Sequence, residues 1–301
     1  MQVQLVQAAN AILGEGPLWC PDEQVLYWID ILRPAVYRHT PGVGQTGVWA
    51  LPESVGSIAR LGAGQLLVAM RSGLFALSTV EGSLTRLASV EHASAQQRLN
   101  DSAVDPAGRV WVGSMCEGGP SFGKLYRFGG GSAPFELDDQ WACPNGIGWS
   151  PDGTVMYVTD SAKQTIWRYA YSVEHGTATD KQVFATFDAG TPDGLTVDAE
   201  GGVWSALWDG WSVVRLSPEG ERVTTVPMPV QRPTSVAFGG GALQTLYVTS
   251  ASINVDTTGL NAGPLAGGLF AVETSVRGLL NTPARLGERT FLCTTGAEVP
   301  A

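Results

Sequence analysis

The chain has 301 residues, and 18 lysines and arginines against 28 aspartates and glutamates give it a formal net charge of −10. Charged residues make up only 15% of the chain, while 38 glycines and 18 prolines are typical of a turn-rich globular protein without long helices. An acidic chain that has no cluster of basic residues is a poor partner for nucleic acid or an anionic membrane, and no apolar run approaches the ~20 residues of a membrane span.

A turn followed by a short apolar strand recurs six times along the chain. In order, the copies are PDEQVLYWID from Pro21, GAGQLLVAM from Gly62, PAGRVWVGSM from Pro106, PDGTVMYVTD from Pro151, AEGGVWSAL from Ala199 and GGALQTLYVTS from Gly240. Successive turns are 40 to 48 residues apart, which is the period expected for one blade of a β-propeller. Beyond Asn254 the pieces GGLFAV and RTFLC look like strands, but no seventh copy follows.

The strands of these copies are apolar at consecutive positions, as in Val25 to Ile29 and Leu66 to Met70. A strand with one solvated face would alternate, so both faces are expected to be covered. Short Gly, Asp and Pro turns between strands indicate antiparallel hairpins. The sequence therefore predicts an all-β fold, one six-bladed β-propeller over residues 1–301 with a central-channel metal site. Residues Gln2 to Val6 are expected to pair with the last blade and close the ring.

One repeat position, eight residues before each turn, is rich in oxygen donors. The residues there are Glu15, Gly56, Asn100, Asn145, Asp193 and Pro233. Equivalent positions in a closed ring converge near its axis, and carboxylate and amide oxygens are the donors that hard divalent cations prefer. Taken singly, each of these residues is also explained as a turn residue that bonds its own backbone. Their common register favours a metal site at Glu15, Asn145 and Asp193.

The histidines and cysteines of the chain do not indicate a catalytic or metal-binding site. The histidines His39, His92 and His175 are in no recognisable catalytic or zinc-binding motif, so the chemistry is expected to use carboxylates and amides. The cysteines are far apart without a CxxC pair, which indicates reduced thiols: Cys20, Cys116, Cys143 and Cys293. Because the N-terminus has neither the basic nor the apolar region of a signal peptide, we expect a cytoplasmic protein.

Three further acids are expected to be structural, because they are in turns or at strand ends: Asp101, Asp152 and Asp160. The tryptophans of ALWDGWSVV, Trp208 and Trp211, are expected to pack within a blade, with a rim position as the alternative.

Five stretches of the chain resemble the gluconolactonase/regucalcin (senescence-marker-protein) family of six-bladed propellers. They are GEGPLW from Gly14, QRLNDSAVDPAGRVWVGSM from Gln97, PNGIGWSPDGTVMYVTDS from Pro144, TPDGLTVDAEGGVWSA from Thr191 and FGGGALQTLYVTSA from Phe238. They occur in the family's order and span nearly the whole chain.

The resemblance implies a metal-dependent hydrolase of aldonolactones, the sugar 1,4- or 1,5-lactones. It places the metal ligands at Glu15, Asn145 and Asp193, and the substrate-binding residues at Arg98 and Asn100. One divalent ion is implied: Ca, Zn, Mn, Mg or Fe(II). Asp193 would also receive the proton of the attacking water. We expect a monomer or small homo-oligomer whose partner is a small sugar lactone.

The chain departs from the family pattern at two points. Ser102 replaces the glycine of the family's RxNDG motif, and GSM is followed by Cys116 and Glu117, which leaves open whether Glu117 contacts substrate. A loop-bracing ion pair remains an alternative role for Arg98. Two other functions also remain: a calcium-dependent phosphotriesterase or arylesterase-like hydrolase, and a non-catalytic, regucalcin-like calcium-binding protein.

Overall fold

The structure is a computed structural model that describes residues 1–118, 122–129, 135–137, 140–286 and 291–293. In chain order its first strands are β1 (Val3–Gln7), β2 (Gly14–Cys20), β3 (Val25–Asp30), β4 (Ala35–Thr40), β5 (Gly44–Ala50), β6 (Val55–Gly62), β7 (Gln65–Met70), β8 (Gly73–Ser78), β9 (Leu84–Val90), β10 (Gln97–Val104), β11 (Val110–Cys116), β12 (Leu125–Phe128) and β13 (Phe135–Leu137). The remaining strands are β14 (Pro144–Trp149), β15 (Val155–Asp160), β16 (Thr165–Ser172), β17 (Thr177–Thr186), β18 (Thr191–Val197), β19 (Val203–Trp208), β20 (Ser212–Leu216), β21 (Arg222–Pro227), β22 (Pro233–Gly239), β23 (Thr245–Ser250), β24 (Leu269–Glu273) and β25 (Phe291–Cys293). A 3₁₀ turn (Ser161–Lys163) follows β15, and a short helix α1 (Thr257–Ala262) lies between β23 and β24.

These strands form six sheets, each built on four antiparallel strands and numbered here as blades 1 to 6, and β25 adds a fifth strand to blade 2. Blades 1 to 5 consist of β2–β5, β6–β9, β10–β13, β14–β17 and β18–β21, and blade 6 consists of β22–β24 with β1. The first strand of each blade contacts the first strand of the next, and β2 contacts β22, which closes the ring. The six-bladed propeller predicted from the sequence is confirmed.

The ring is closed by the N-terminal strand, as the sequence predicts. Strand β1 pairs with β24 as the outermost strand of blade 6, with Val3 opposite Val272 and Leu5 opposite Phe270. The last blade therefore takes strands from both ends of the chain. This arrangement leaves no broken seam between the first and last blades.

The hydrophobic core lies between the faces of adjacent blades. Strand β3 is buried along its whole length, and Tyr27 and Ile29 pack in one cluster with Ile58 and Val68 of blade 2. On the other side of the ring, Trp204 of blade 5 packs against Phe238 of blade 6. The continuous apolar runs of the sequence are thus strands covered on both faces.

Each inner strand is interrupted at the same point. A register shift separates Glu15 from Leu18, Val55 from Ser57, Leu99 from Ser102, Pro144 from Ile147, Pro192 from Leu195 and Pro233 from Val236. Such β-bulges bend a strand and redirect its side chains. The oxygen-donor positions recognised in the sequence lie in or directly beside these bulges, so the six interruptions surround the axis at one level.

Small residues in the bulges allow the inner strands to approach one another. A Cβ atom on Gly146 would collide with the backbone of Leu195, and one on Gly194 would collide with Ser235. Glycine is required here for close approach rather than for a left-handed backbone. This spacing is what brings side chains of neighbouring blades together at the axis.

After β24 the chain crosses the end of the channel at which the inner strands finish. Gly278 donates to the carbonyl of Leu243, Ala284 donates to that of Arg60, and Arg285 donates to that of Gly108. The segment therefore joins blade 6 to blades 2 and 3. It continues to β25, which pairs in parallel with β9 at the outer edge of blade 2.

The structure also bears on the predicted state of the cysteines and on membrane-spanning segments. The thiols of Cys20, Cys116 and Cys143 are free, and the side chain of Cys293 lies outside the described part of the chain. Within the described residues, the helices are all too short to cross a bilayer as an apolar span.

Candidate active site

A cavity of about 530 Å³ opens at the end of the channel where the inner strands begin; we call it the upper cavity. It contains all five residues that the sequence assigns to metal or substrate. Its lining consists of Leu13, Glu15, Ile31, Arg98, Asn100, Met115, Cys116, Ala142, Cys143, Asn145, Ser161, Ala162, Gln164, Thr191, Asp193 and Trp208. A polar floor thus lies beneath a wall that is largely apolar, as is common for small-molecule sites.

The floor contains two buried carboxylates. Glu15 on β2 and Asp193 on β18 are both about 6% exposed. Burial raises the pKa of the Glu15 carboxyl well above its ordinary value, and the charge of Asp193 raises it further. The pKa of Asp193 is likewise raised by burial and then by Asp101, while Arg98 and Asn145 oppose the shift. Acids brought this close without a cation repel one another.

Asp101 corrects one expectation. It accepts a hydrogen bond from the backbone N–H of Ser102 at 2.8 Å, as a structural turn residue would. It also lies in the bulge of β10, where its charge raises the pKa of Glu15 and Asp193, and burial raises its own pKa to about 6. Asp101 is therefore part of the electrostatics of the site.

The other two acids are structural, as predicted. Asp160 is fully buried and accepts hydrogen bonds from the N–H groups of Ala142 and Cys143. Asp152 accepts hydrogen bonds from Ser150 and Thr154 in an exposed turn.

A chain of side-chain hydrogen bonds runs along the floor from blade 3 through blade 4 and ends at the backbone of blade 5. Arg98 Nη1 donates to Asn100 Oδ1 at 2.6 Å, and Asn100 Nδ2 donates to Asn145 Oδ1 at 3.0 Å. Asn145 Nδ2 then donates to Ser161 Oγ at 3.0 Å, and that hydroxyl donates to the carbonyl of Pro192 at 2.7 Å. These bonds fix the amide of Asn145 with its oxygen on the side of Asn100 and its nitrogen on the side of Ser161.

Arg98 is held from the opposite side by Glu117. Arg98 Nε donates to Glu117 Oε1 at 2.7 Å, and Arg71 Nη2 donates to Glu117 Oε2 at 2.9 Å. Both arginines lower the pKa of the Glu117 carboxyl, against the effect of its partial burial. The bracing ion pair considered for Arg98 is therefore present. Glu117 joins blades 2 and 3 at the cavity rather than standing free above it.

The expectation that the two tryptophans pack within a blade is wrong, and the alternative rim position is found instead. Trp208, at the end of β19, lines the upper cavity and is only partly buried. Trp211 is also partly exposed, in the turn between β19 and β20, where its φ of 52° is left-handed. Neither is packed inside the blade, because β19 ends at Trp208 and the chain turns at the rim.

Sequence reasoning missed two other lining residues, Ser161 and Cys143. Ser161 follows Asp160 at the end of the PDGTVMYVTD copy, and Cys143 precedes the Pro144-Asn145 pair, so both were adjacent to recognised motifs. Burial raises the pKa of the Cys143 thiol to about 12, with Asp193 adding to the shift. The thiol is therefore neutral, which does not suit a nucleophile.

The arrangement fits a divalent cation. Asp193 Oδ1 is buried and has no hydrogen-bond partner among the described residues, which is a costly state for a carboxylate oxygen. Within the same part of the chain, no three His, Cys, Asp or Glu side chains are grouped as ligands. The donor set is instead two carboxylates and one amide, from Glu15, Asp193 and Asn145, which suits hard, oxygen-preferring ions.

Comparisons with known proteins show which sequences and folds the chain is similar to. Residues 13–252 match the family model described as "SMP-30/Gluconolactonase/LRE-like region". The chain is 36% identical to a 6-deoxy-6-sulfogluconolactonase of Pseudomonas putida over 89% of this chain and 93% of the relative. It is 34% identical to a pentonolactonase of Haloferax volcanii, over 92% and 96%. The crystal structure of regucalcin from Agrobacterium tumefaciens, a calcium-binding protein, superposes with a TM-score of 0.90 at 30% identity, covering 95% and 98%.

Proposed function

The chain belongs to the SMP-30/gluconolactonase/LRE-like family, and from this premise we propose that it is a metal-dependent sugar lactonase. Its reaction would open aldonolactones, the sugar 1,4- or 1,5-lactones, to aldonic acids. The observation that carries the proposal is the buried, unpartnered Oδ1 of Asp193 beside Glu15 and Asn145 on the floor of the upper cavity. The similarity to two named sugar lactonases supports the choice of substrate.

Glu15, Asn145 and Asp193 would hold one divalent ion, with Ca, Zn, Mn, Mg and Fe(II) as the candidates. Two carboxylates balance a 2+ charge, and the positive ion would relieve the repulsion that raises the pKa of Glu15 and Asp193. When bound, such an ion supplies Lewis-acid polarisation of the lactone carbonyl. Asn100 and Ser161 fix both ends of the Asn145 amide, and this fixed orientation supports its proposed role as a ligand.

Asp193 is the proposed general base. Water adds to the acyl carbon, the bond from that carbon to the ring oxygen breaks, and the ring oxygen leaves as a hydroxyl. The proton lost by the water would pass to the carboxylate of Asp193, whose Oδ1 has no hydrogen-bond donor among the described residues, and Asp193 would return that proton to the ring oxygen as it leaves. This step needs neither a histidine nor a serine nucleophile, and the described lining of the cavity contains no histidine.

Arg98 and Asn100 are the proposed substrate-binding residues, and their hydrogen bonds indicate different roles. The amide nitrogen of Asn100 already donates to Pro144 O and Asn145 Oδ1, so its main effect would be to position Asn145 and Arg98. Arg98 Nε donates to Glu117, and Nη1 donates to the carbonyl of Leu99 and to Asn100 Oδ1. Its Nη2 group would donate to a sugar hydroxyl or to the developing oxyanion.

We further propose that the protein acts in the cytoplasm as a monomer or small homo-oligomer. Three free thiols support a reducing compartment. A small lactone, rather than nucleic acid or a membrane, is the proposed partner, because the charged groups of the cavity converge on a volume of about 530 Å³.

A lactone panel run on chelated protein with single metals added back tests the proposal. Glucono-, xylono-, arabino- and galactonolactone would each be followed by acid release, with Ca²⁺, Zn²⁺, Mn²⁺, Mg²⁺ and Fe²⁺ supplied in turn. We expect hydrolysis of at least one lactone that disappears on chelation and returns with metal. Metal binding without hydrolysis of any lactone would instead support a calcium-binding role. Hydrolysis of an aryl ester or phosphotriester alone would support the other hydrolase.

A further inference from the structure

The wall of the upper cavity contains one aromatic side chain among the residues that the structure describes, Trp208. The other wall residues near the rim are aliphatic or small, such as Leu13, Ile31 and Ala162. An indole supplies a large apolar surface whose face carries partial negative charge. Such a surface in a cavity with a charged floor calls for an explanation beyond packing.

The upper cavity brings Trp208 and Asp193 to the same site. Trp208 is in its wall and Asp193 is on its floor. In the β18–β19 pair Trp208 is opposite Thr191, at the start of β18, and Asp193 follows in the bulge between Pro192 and Leu195. The rim end of β19 and the bulge of β18 therefore both contribute a side chain to this cavity.

Arg232 contacts the Trp208 indole and is itself held by other groups. The Arg232 guanidinium lies 4.6 Å from the centroid of the Trp208 ring, a cation–π distance. Arg232 in turn donates from Nε to Asp209 Oδ1 at 2.6 Å and from Nη2 to Asp209 Oδ2 at 3.3 Å, and it also donates to the carbonyl of Ile253. Gln231 fixes the same carboxylate at 2.7 Å.

Trp208 is at the rim and only partly buried, and Asp209 is exposed. Two charged side chains have been fixed around one partly exposed ring, which costs conformational entropy. Because Trp208 also lines the upper cavity, part of its ring surface is open to a ligand there. A rigid aromatic surface at a defined height above a reacting centre positions a substrate.

We propose that Trp208 is a substrate-contacting, specificity-determining residue on whose indole the closed lactone ring lies, and that Arg232 and Asp209 are its positioning residues. A lactone ring presents a face of C–H groups, which the negative face of an indole attracts. An open-chain aldonate has no such fixed face. Trp208 would therefore bind the substrate better than the product, and ring opening would weaken the contact.

This inference rests on the proposed lactone hydrolysis, and its kinetic test uses Trp208→Ala, Trp208→Phe and Asp209→Asn. For Trp208→Ala with glucono-1,5-lactone we expect KM to rise about five- to tenfold with kcat within about twofold, because the lost contact is made before and during the reaction. Inhibition by gluconate should stay within about twofold. Trp208→Phe should recover most of the loss in KM, and Asp209→Asn should show a smaller rise in KM.

Trp211→Ala is the matched control, since it removes the other indole of the same turn, which does not line the cavity. It should leave KM unchanged. An unchanged KM in Trp208→Ala, or equal changes in KM and in thermal stability for both alanine variants, would overturn the proposal.

A binding experiment separates this proposal from the proposed function. Calorimetry with Ca²⁺ present would compare 1,5-anhydroglucitol, a closed ring that cannot be hydrolysed, with glucitol, its open-chain counterpart. We expect the wild type to prefer the ring at least about fivefold and Trp208→Ala to lose that preference. Equal binding of the two polyols, no binding of either, or a preference that survives in Trp208→Ala overturns the role of Trp208. Failure of every lactone in the panel overturns the hydrolase and leaves this comparison to decide the ring contact.

Discussion

The six inner strands line two cavities that differ in kind, one on either side of the bulges. The upper cavity, where the strands begin, gathers Glu15, Asp193 and Arg98 on one floor. The second, which we call the lower cavity, has about 330 Å³ at the other end of the channel, and its ionisable lining residues are Arg60 and Asp101. Arg60 pairs with Asp22 and donates to the carbonyl of Asn281.

Among the residues that the structure describes, the lower cavity also has a cover that the upper one does not share. Residues 279–282 of the C-terminal segment lie across it, and several of its wall residues belong to the cores between blades: Leu18, Ile58, Ile147, Leu195 and Val236. This difference shows that each inner strand has two roles, one before its bulge and one after it. Before the bulge its side chains converge on the axis, and after the bulge they pack between blades.

The largest expected effect comes from removing charge in the upper cavity. Asp193→Asn should lower kcat/KM for the best lactone of the panel by about a thousandfold, because it removes both the proposed base and a proposed ligand. Steady-state kinetics at saturating metal measures this. Thermal stability of the metal-free protein should not fall, since one of several repelling buried acids becomes neutral.

Asp188→Asn is the control for that variant. Asp188 is exposed in the connection before β18, so the same change of charge is made five residues away from the floor. Full activity in Asp188→Asn is expected, and retention of more than about a tenth of wild-type activity in Asp193→Asn would contradict the assignment.

A substitution in the lower cavity is expected to reduce stability and leave activity nearly unchanged. Leu18 is 6% exposed, lines the lower cavity and packs with Tyr27 and Val68 between blades 1 and 2. Leu18→Ala should reduce the free energy of unfolding by about 2–5 kcal/mol through lost burial and a new cavity. Denaturant unfolding measures the loss, and kcat/KM of the folded variant should stay within about twofold. A fall in kcat/KM comparable to that of Asp193→Asn would show that the two cavities are not separable.

The pH dependence of protein stability tests the protonation of Asp101, which lines the lower cavity and also affects the acids of the upper one. Asp101 has its pKa raised from 3.8 to about 6 by burial, so the folded protein holds a proton there that the unfolded chain releases. For metal-free protein, stability should therefore fall as pH rises from about 4 to about 6, by on the order of 3 kcal/mol from this group. The raised pKa values of Glu15 and Asp193 act in the same direction.

Melting temperatures of chelated protein between pH 4 and pH 8, set against Asp101→Asn, measure this slope. A divalent ion should restore more stability at pH 8 than at pH 5, since only the ionised acids bind it. Stability that rises with pH across the same range would contradict the raised pKa values.

The architecture and the floor of the site were accessible from the sequence, for one physical reason. A closed ring converts a repeat position into a circle, so Glu15, Asn145 and Asp193 could be placed near the axis from their register alone. The continuous apolar runs of β3 and β7 likewise predicted strands buried on both faces. Strand closure by β1 followed from the same logic.

What the sequence could not show depends on three-dimensional contacts between distant segments. Glu117 joins Arg98 to Arg71, 46 residues earlier in the chain, and no local pattern encodes that pairing. Trp208 was expected inside a blade with a rim position as the alternative, and the sequence alone did not show that its strand ends at the rim. Asp101 was read as a turn residue, since the bulge that turns it toward the acids is a property of the β10–β11 register.

Ser161 provides the smallest and most selective test. Its hydroxyl accepts from Asn145 Nδ2 at 3.0 Å and donates to the carbonyl of Pro192, so it orients a proposed ligand without contacting the ion itself. Ser161→Ala should weaken metal affinity about tenfold and leave kcat at saturating metal within about twofold. Metal titration of chelated protein, read out by activity and by calorimetry, gives both values.

Ser150 belongs to the same blade but lines the lower cavity, where it donates to Asp152 and accepts from the N–H of Val155. Ser150→Ala removes a hydroxyl with the same number of bonds and should leave metal affinity unchanged. If both serine variants weaken metal binding equally, the effect is one of blade stability and the orienting role of Ser161 is wrong. If only Ser161→Ala does, the hydrogen-bond chain above the bulge acts on the metal ligand, while the same strands below it serve packing.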